Sequence, residues 1–382
     1  MDRTYLDGNA TSPVWPRAIE AVTQAMRESW GNASSLHEEG RKSAEIAASA
    51  RQALADWTQT RAIEWILTSG GTESIHAAIH GTLAARKGKN RIVTSQGEHS
   101  CTLGVVRELE KRGFEVIRVG LGADGAWDPA EVLDAADPAE TALVSLIWAN
   151  NETGVLSPVE DLAVQLKVRR IPLHLDAVQC FGRIGVDLSR IQAGMVSLSA
   201  HKFGAPKGIG ALFVRQGVAW TRWMQGGNQE RARRGGTVNV PGAAGMAAAI
   251  GCAKSMELSS IQGLRDRLEG RILARIPGSR VLGARLERIP NTSCICLPGC
   301  DSSTLLDRLD ARGYAVASGS ACSTGVTEPS HVLVAMGMSP EDAHATLRIS
   351  LGPWSEAESL ERFATALEAE VVSVRGRGVA VQ

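Results

Sequence analysis

The sequence predicts an α/β fold, with a large domain built on a mostly parallel central sheet flanked by helices and a smaller α+β domain toward the C-terminus. Three observations carry this. Seven short apolar or β-rich runs (IEWILT, RIVTS, FEVIRV, ALVSLIW, PLHLDA, MVSLSA and GALFV) alternate with longer helical or loop segments as far as about residue 215. Such alternation is the mark of parallel strands joined by crossover helices. The pattern changes at about residue 256, where helix and strand signals mix without regular alternation. Finally, 382 residues of which 44% are hydrophobic can bury one large core and a smaller one.

Taken in order, the chain opens with two amphipathic helices. Val14, Ala18, Ala21, Val22, Ala25 and Met26 recur at helical spacing, and Ile46, Ala50, Leu54 and Trp57 repeat the pattern. The seven strand-like runs follow. Beyond them, GLRDRLEGRILARI reads as a helix, NTSCICL as a strand, STLLDRLDARG as a helix, and TLRISLG as a final strand before a last helix. RGRGVAVQ reads as a frayed tail.

The 41 basic and 41 acidic residues cancel, so no charge excess points to a nucleic acid as direct ligand. MDRTYLDGNATSP has no apolar run of signal-peptide length, and no later segment reaches the roughly 18 apolar residues of a membrane span. A cytoplasmic location is expected. There, seven cysteines imply free thiols rather than a disulfide framework.

Chemistry concentrates where strands end. In MVSLSAHKFGAPKGIG an apolar strand runs into Ser199, His201 and Lys202, where α/β proteins place ligands. PLHLDAVQ sets Asp176 and Gln179 beyond another strand, and a carboxylate there is costly unless it meets a cation or donors. An amine to bond an aldehyde, a carboxylate to keep a ring nitrogen protonated and donors for a phosphate are what pyridoxal 5'-phosphate requires. TSGGTES offers the donors, because Gly71 and Thr72 open a helix whose free N–H groups attract anions. His99 in EHS lies where its ring could stack on a pyridine, and Asn151 in ANNETG is a side-chain donor at the same edge. Arg348, inside an apolar strand, calls for an anion such as a substrate carboxylate.

Together these segments resemble the cysteine desulfurases, the NifS/IscS-like branch of the class V aminotransferases among fold-type I pyridoxal-phosphate enzymes. YLDGNATSP, GNASSLHEEGR, TSGGTES, EHS, ANNETG, HLDAVQ, SAHKFGAPKGIG, RRGGTVNVP, SGSACS and LRISLG occur in the family's order over nearly the whole chain. The resemblance implies a large domain of residues 13–255 and a small domain of residues 1–12 and 256–382. It also implies that Lys202 bonds the cofactor, Asp176 pairs with its ring nitrogen, Gln179 meets the ring hydroxyl and His99 stacks on the ring and moves protons. Thr72, Ser199 and His201 are expected at the phosphate, joined by Thr237 from the partner subunit of a homodimer. Asn151 and Arg348 are expected to hold the substrate carboxylate.

The implied reaction converts L-cysteine to L-alanine and leaves the sulfur as a persulfide on Cys322, for delivery to an acceptor protein. Two further readings stay open, a selenocysteine lyase or related enzyme, and an inactive cofactor-bearing platform. RRGGT carries Gly235 and GNASS carries Ala33 where the family commonly has other residues; both bear on loop stiffness and leave the expected ligands intact. Cys294, Cys296 and Cys300 lack a fourth ligand at zinc spacing, so no metal is expected. Cys101, Cys180 and Cys252 read as packing residues.

Overall fold

A computed structural model of the chain describes residues 3–319 and 328–378. Its large sheet has seven strands in the order Trp65–Thr68, Gly210–Val214, Met195–Ser199, Leu173–Asp176, Thr141–Ile147, Arg91–Ser95 and Glu115–Val119. Only Gly210–Val214 runs antiparallel to its neighbours. Each of the seven apolar runs therefore became a strand. The fully buried Thr141–Ile147 shows why a central parallel strand reads as a continuous apolar run: both of its faces are covered.

On one face, Val144, Leu146, Leu175, Val196 and Phe213 pack against the helices Glu38–Thr58, Glu160–Val168 and Val240–Lys254. On the other, Leu143, Met195 and Leu212 meet the helices Gly71–Ala85 and Ser100–Lys111. Period-two alternation along each strand thus feeds two cores at once. Because the strands run parallel, their carboxyl ends share one edge, with Ile147 opposite Asp176 and Asp176 opposite Ser197 in the pairing register.

A second sheet, in the order Ala317–Ser318, Thr346–Ser350, Thr292–Cys296 and Arg280–Val281, is antiparallel throughout. Ile295, Leu347 and Ile349 bury one face of it with Phe363 and Leu367 of the helix Ala357–Gly378. Leu6 joins the same core, and Thr4–Tyr5 pairs in parallel with Tyr314–Ala315, so the N-terminus packs with the C-terminal region.

The reading of RGRGVAVQ as a frayed tail is corrected for residues 375–378, while residues 379–382 lie outside the described residues. The last helix continues to Gly378, and Arg375 within it donates from Nε to the carbonyl oxygen of Pro298 and from Nη1 to that of Pro277, at 3.0 Å each. Those two carbonyls, far off in sequence, keep the last turns docked. No helix among the described residues is long and apolar enough to cross a membrane.

Candidate active site

Lys202 follows the strand Met195–Ser199 within the short 3₁₀ turn Ala200–Phe203, which Gly204 ends in the left-handed conformation. The turn aims the lysine back over the sheet edge, where Nζ donates to the carbonyl oxygens of Asn9 at 2.6 Å and Ala10 at 3.0 Å. Burial pushes this amine down to about 7, and the nearby Arg183 and Arg348 guanidinium groups add to the effect. An amine of that kind is largely neutral, and nucleophilic, just above neutral pH.

Asp176 ends the adjacent strand and accepts the Val178 N–H on Oδ1 at 3.0 Å. Burial pushes its carboxyl up, while burial pushes the His99 imidazole down. His99 caps the helix Ser100–Lys111, its Nδ1 accepting the Cys101 N–H at 3.2 Å. With Nδ1 committed as an acceptor, the neutral ring carries its proton on Nε2.

A cavity of about 260 Å³ opens on this edge. Lys202, Asp176, Gln179 and His99 line it, and so do Gly71, Thr72, Ser199 and His201. Asn151 and Arg348 close it from the side of the second sheet. Ten of the residues singled out in the sequence thus meet in one cavity. Burial, with Lys202, Lys207 and Arg183 nearby, holds His201 down to about 4, so it is a neutral hydrogen-bonding group. Gln179 is already engaged: its Nε2 donates to the Asn9 carbonyl oxygen at 3.1 Å and its Oε1 accepts from Arg183 Nη1 at 2.5 Å.

Two polar atoms buried around the cavity, Asn151 Oδ1 and Arg348 Nε, lack partners among the described residues. Such groups are costly unless a ligand completes them. The remaining nitrogens of Arg348 do have partners, with Nη2 donating to Asp7 Oδ1 at 2.7 Å and Nη1 to the Asn151 carbonyl oxygen at 3.2 Å.

Thr237 lies elsewhere. It is exposed, and it borders a smaller cavity together with Ser69 and Arg234. Cys322 falls outside the described residues. On either side of that gap, Ser330 Oγ donates to Glu152 Oε2 at 2.5 Å, and the same carboxylate lies beside Gly319. Burial pushes Glu152 up to about 7. The substituted Gly235 has a local reason: a Cβ there would lie 2.6 Å from the Gln225 carbonyl oxygen and 2.7 Å from Gly226 Cα.

Several residues of the site were not singled out in the sequence. Asn9 donates from Nδ2 to Thr292 Oγ1 at 2.8 Å and to the Asn151 carbonyl oxygen at 3.1 Å, tying the N-terminal segment to both sheets. Asp7 pairs with Arg348, and Glu98 lies fully buried next to His99. Asp7 and Asn9 sat in view within YLDGNATSP, a segment that entered the resemblance without either residue being given a role. The Cys101 thiol lies 3.0 Å from His99 Nδ1, and burial pushes it up to about 12, so it stays protonated.

The arrangement can hold a flat heterocycle between an imidazole and the sheet edge, bond it through an amine, pair its nitrogen with a carboxylate and seat an anionic group at a helix start. Known proteins carry the same framework. A profile described as aminotransferase class-V matches residues 4–363. A cysteine desulfurase of Cereibacter sphaeroides is 42% identical over 377 residues, which are 98% of this chain and 97% of that protein. A solved NifS-like protein superposes with a TM-score of 0.89 at 33% identity, covering 97% of this chain and 99% of its own. The structure of SspA in complex with cysteine gives a TM-score of 0.81 at 30% identity, covering 92% and 99%. The chain belongs to the class-V aminotransferase family and, within it, to the cysteine desulfurases.

Proposed function

We propose that the protein is a pyridoxal-phosphate-dependent cysteine desulfurase, which converts L-cysteine to L-alanine and passes the sulfur through Cys322 to an acceptor protein. The observation that carries this reading is the meeting of Lys202 and the buried Asp176 on neighbouring strand ends with Arg348 Nε and Asn151 Oδ1, which have no partner among the described residues, in one cavity.

The donor set fits pyridoxal phosphate. Lys202 would bond its aldehyde, Asp176 its ring nitrogen, and Gln179 would border its ring hydroxyl. Gly71, Thr72, Ser199 and His201 would hold the phosphate at the start of the helix Gly71–Ala85. When bound, this cofactor supplies an electron sink for cleavage of the substrate's Cα–H and Cβ–S bonds.

The chain's own residues do the rest. Arg348 and Asn151 orient the substrate through its carboxylate, which would complete the guanidinium left open at Nε. Lys202 would also be placed to carry the substrate's Cα proton, because its depressed basicity lets it both take and return a proton near neutral pH. His99, with its proton on Nε2, donates on the ring side. Cys322 acts as the nucleophile on the substrate sulfur; one S–S bond forms as the Cβ–S bond breaks, and the electron pair leaves with carbon.

A homodimer is part of the reading, with Thr237 reaching the partner's phosphate, and its exposure away from the cavity of its own chain supports this. So is a working unit formed by residues 1–12 and 256–382, supported by the pairing of Thr4–Tyr5 with Tyr314–Ala315. The protein is placed in the cytoplasm on the same reading. Incubation with L-cysteine and a reductant tests the function: alanine and sulfide are expected in equal amounts. Turnover confined to L-selenocysteine would favour a lyase instead, and no product from either would sink both.

A further inference from the structure

Two buried carboxylates outside the cavity hold the turn that starts the helix Gly71–Ala85. Glu73, in the first turn, accepts the Ser69 N–H on Oε2 at 2.8 Å and receives Arg234 as a fork, Nε to Oε1 at 2.8 Å and Nη2 to Oε2 at 3.0 Å. Glu230 accepts the Leu67 N–H at 3.0 Å and the Arg51 Nε at 3.1 Å, both on Oε2, while Arg51 Nη2 donates to its Oε1. The end of the strand Trp65–Thr68 and the turn after it are therefore pinned through Leu67 and Ser69. Both pins are completed by the segment that carries Glu230 and Arg234.

That segment is itself held in an unfavourable backbone. Glu230, Arg231 and Ala232 take φ values of 48°, 59° and 60°, a left-handed run that residues other than glycine adopt only when their surroundings impose it. The Arg51–Glu230 pair lies within that run and the Arg234–Glu73 pair just beyond it.

Electrostatics gives Arg234 a second consequence. The Glu73 carboxylate stands in the same first turn whose N–H groups would receive a phosphate, with its side chain only 7% exposed. A buried anion there would repel a second, doubly charged one, and the Arg234 fork cancels it. We propose that Arg234 is a positioning residue for the cofactor's phosphate: by neutralising Glu73 and fixing the Ser69 turn, it makes the helix start accept a dianion and sets the preference for pyridoxal phosphate over unphosphorylated pyridoxal. This rests on the placement of the phosphate at Gly71 and Thr72 given above.

The test is binding of pyridoxal phosphate and of pyridoxal to the full-length chain stripped of cofactor, followed by absorbance and equilibrium dialysis. Arg234→Gln is expected to weaken pyridoxal phosphate on the order of tenfold while changing pyridoxal by about twofold or less. Arg234→Lys, which keeps the charge, should retain most of the affinity. Combining Glu73→Gln with Arg234→Gln should recover most of the loss, since the repelling carboxylate is gone; a purely structural role for the pair gives no such recovery. Equal losses for both ligands without recovery, or an Arg234→Gln protein that binds like wild type, would overturn the proposal. If Arg234→Gln fails to fold, the double variant decides: wild-type discrimination between the two ligands supports the proposal, and lost discrimination overturns it. A wild-type chain that binds no pyridoxal phosphate would instead overturn the phosphate placement itself.

Discussion

Arg348 Nη2 donates to Asp7 Oδ1 at 2.7 Å, and the same guanidinium keeps Nε buried without a partner among the described residues. Asp7 thus balances the arginine's charge while leaving part of its fork open. A substrate carboxylate would take the open side and compete with Asp7 for the rest. Arg348→Ala is expected to raise KM for L-cysteine on the order of tenfold or more, with a smaller change in kcat and with the cofactor's visible absorption retained. Steady-state kinetics with a spectrum of the same sample checks it; an unchanged KM would remove Arg348 from substrate binding.

If Lys202 bonds the cofactor as proposed, its titration sets a pH dependence for cofactor capture. Its amine, pushed down to about 7 mainly by burial, is protonated and unreactive below that value and neutral above it. The rate at which the cofactor-free chain takes up pyridoxal phosphate should therefore climb through pH 7 and level off soon after. An ordinary lysine would keep gaining toward about pH 10. Stopped-flow absorbance across pH 5.5 to 9.5 (an interval of about four units around the Lys202 value) separates the two shapes.

Glu98 makes an opposite contribution to stability. Burial pushes its carboxyl up to about 8, against hydrogen bonds on Oε1 from Ser95 Oγ at 2.5 Å and the Ile147 N–H at 2.9 Å. The unfolded chain releases this proton at the ordinary carboxylate value, while the folded chain keeps it until about 8. The folded state consequently loses stability from this group as pH rises between those values. Glu98→Gln keeps an acceptor for both donors and removes the titration, so its melting temperature should gain on wild type as pH goes from about 5 to 8. A difference that stays constant with pH would contradict this.

Close packing sets a further requirement at Gly210, which pairs with Thr68 on one side and Ser199 on the other. A Cβ there would lie 2.6 Å from Gly70 Cα and 2.7 Å from the Leu198 carbonyl oxygen. Backbone on both sides cannot give way cheaply, so Gly210→Ala should cost about 1–3 kcal/mol of stability and displace the Gly70 turn. Thermal melting and pyridoxal phosphate affinity should fall together; a variant with wild-type values for both would show the contact to be yielding.

The strands and the cavity residues were legible because five parallel runs of the large sheet, IEWILT, RIVTS, ALVSLIW, PLHLDA and MVSLSA, end in or next to polar residues on the same edge, and a single window of sequence contains both the run and its end. Lys202, Asp176, His99 and Asn151 follow that rule. Asp7, Glu98, Glu73 and Arg234 do not: each takes its role from a partner on another element. Arg234 lies 161 positions from Glu73, and Arg348 lies 341 positions from Asp7. Local pattern holds no record of such pairings. The last turn of the final helix escaped for a related reason, since RGRG has the composition of a tail and Arg375 finds its partners in the carbonyls of Pro277 and Pro298.

The central claim is that L-cysteine gives up its sulfur at the Lys202 cavity and that Cys322 receives it. Mass spectrometry of the cofactor-loaded protein after brief exposure to L-cysteine measures this directly. One additional sulfur on the peptide containing Cys322 is expected in wild type, absent in Lys202→Ala, with alanine formed in step. Alanine released at the wild-type rate by Cys322→Ala, or a wild-type peptide that never gains sulfur while alanine accumulates, would contradict the account.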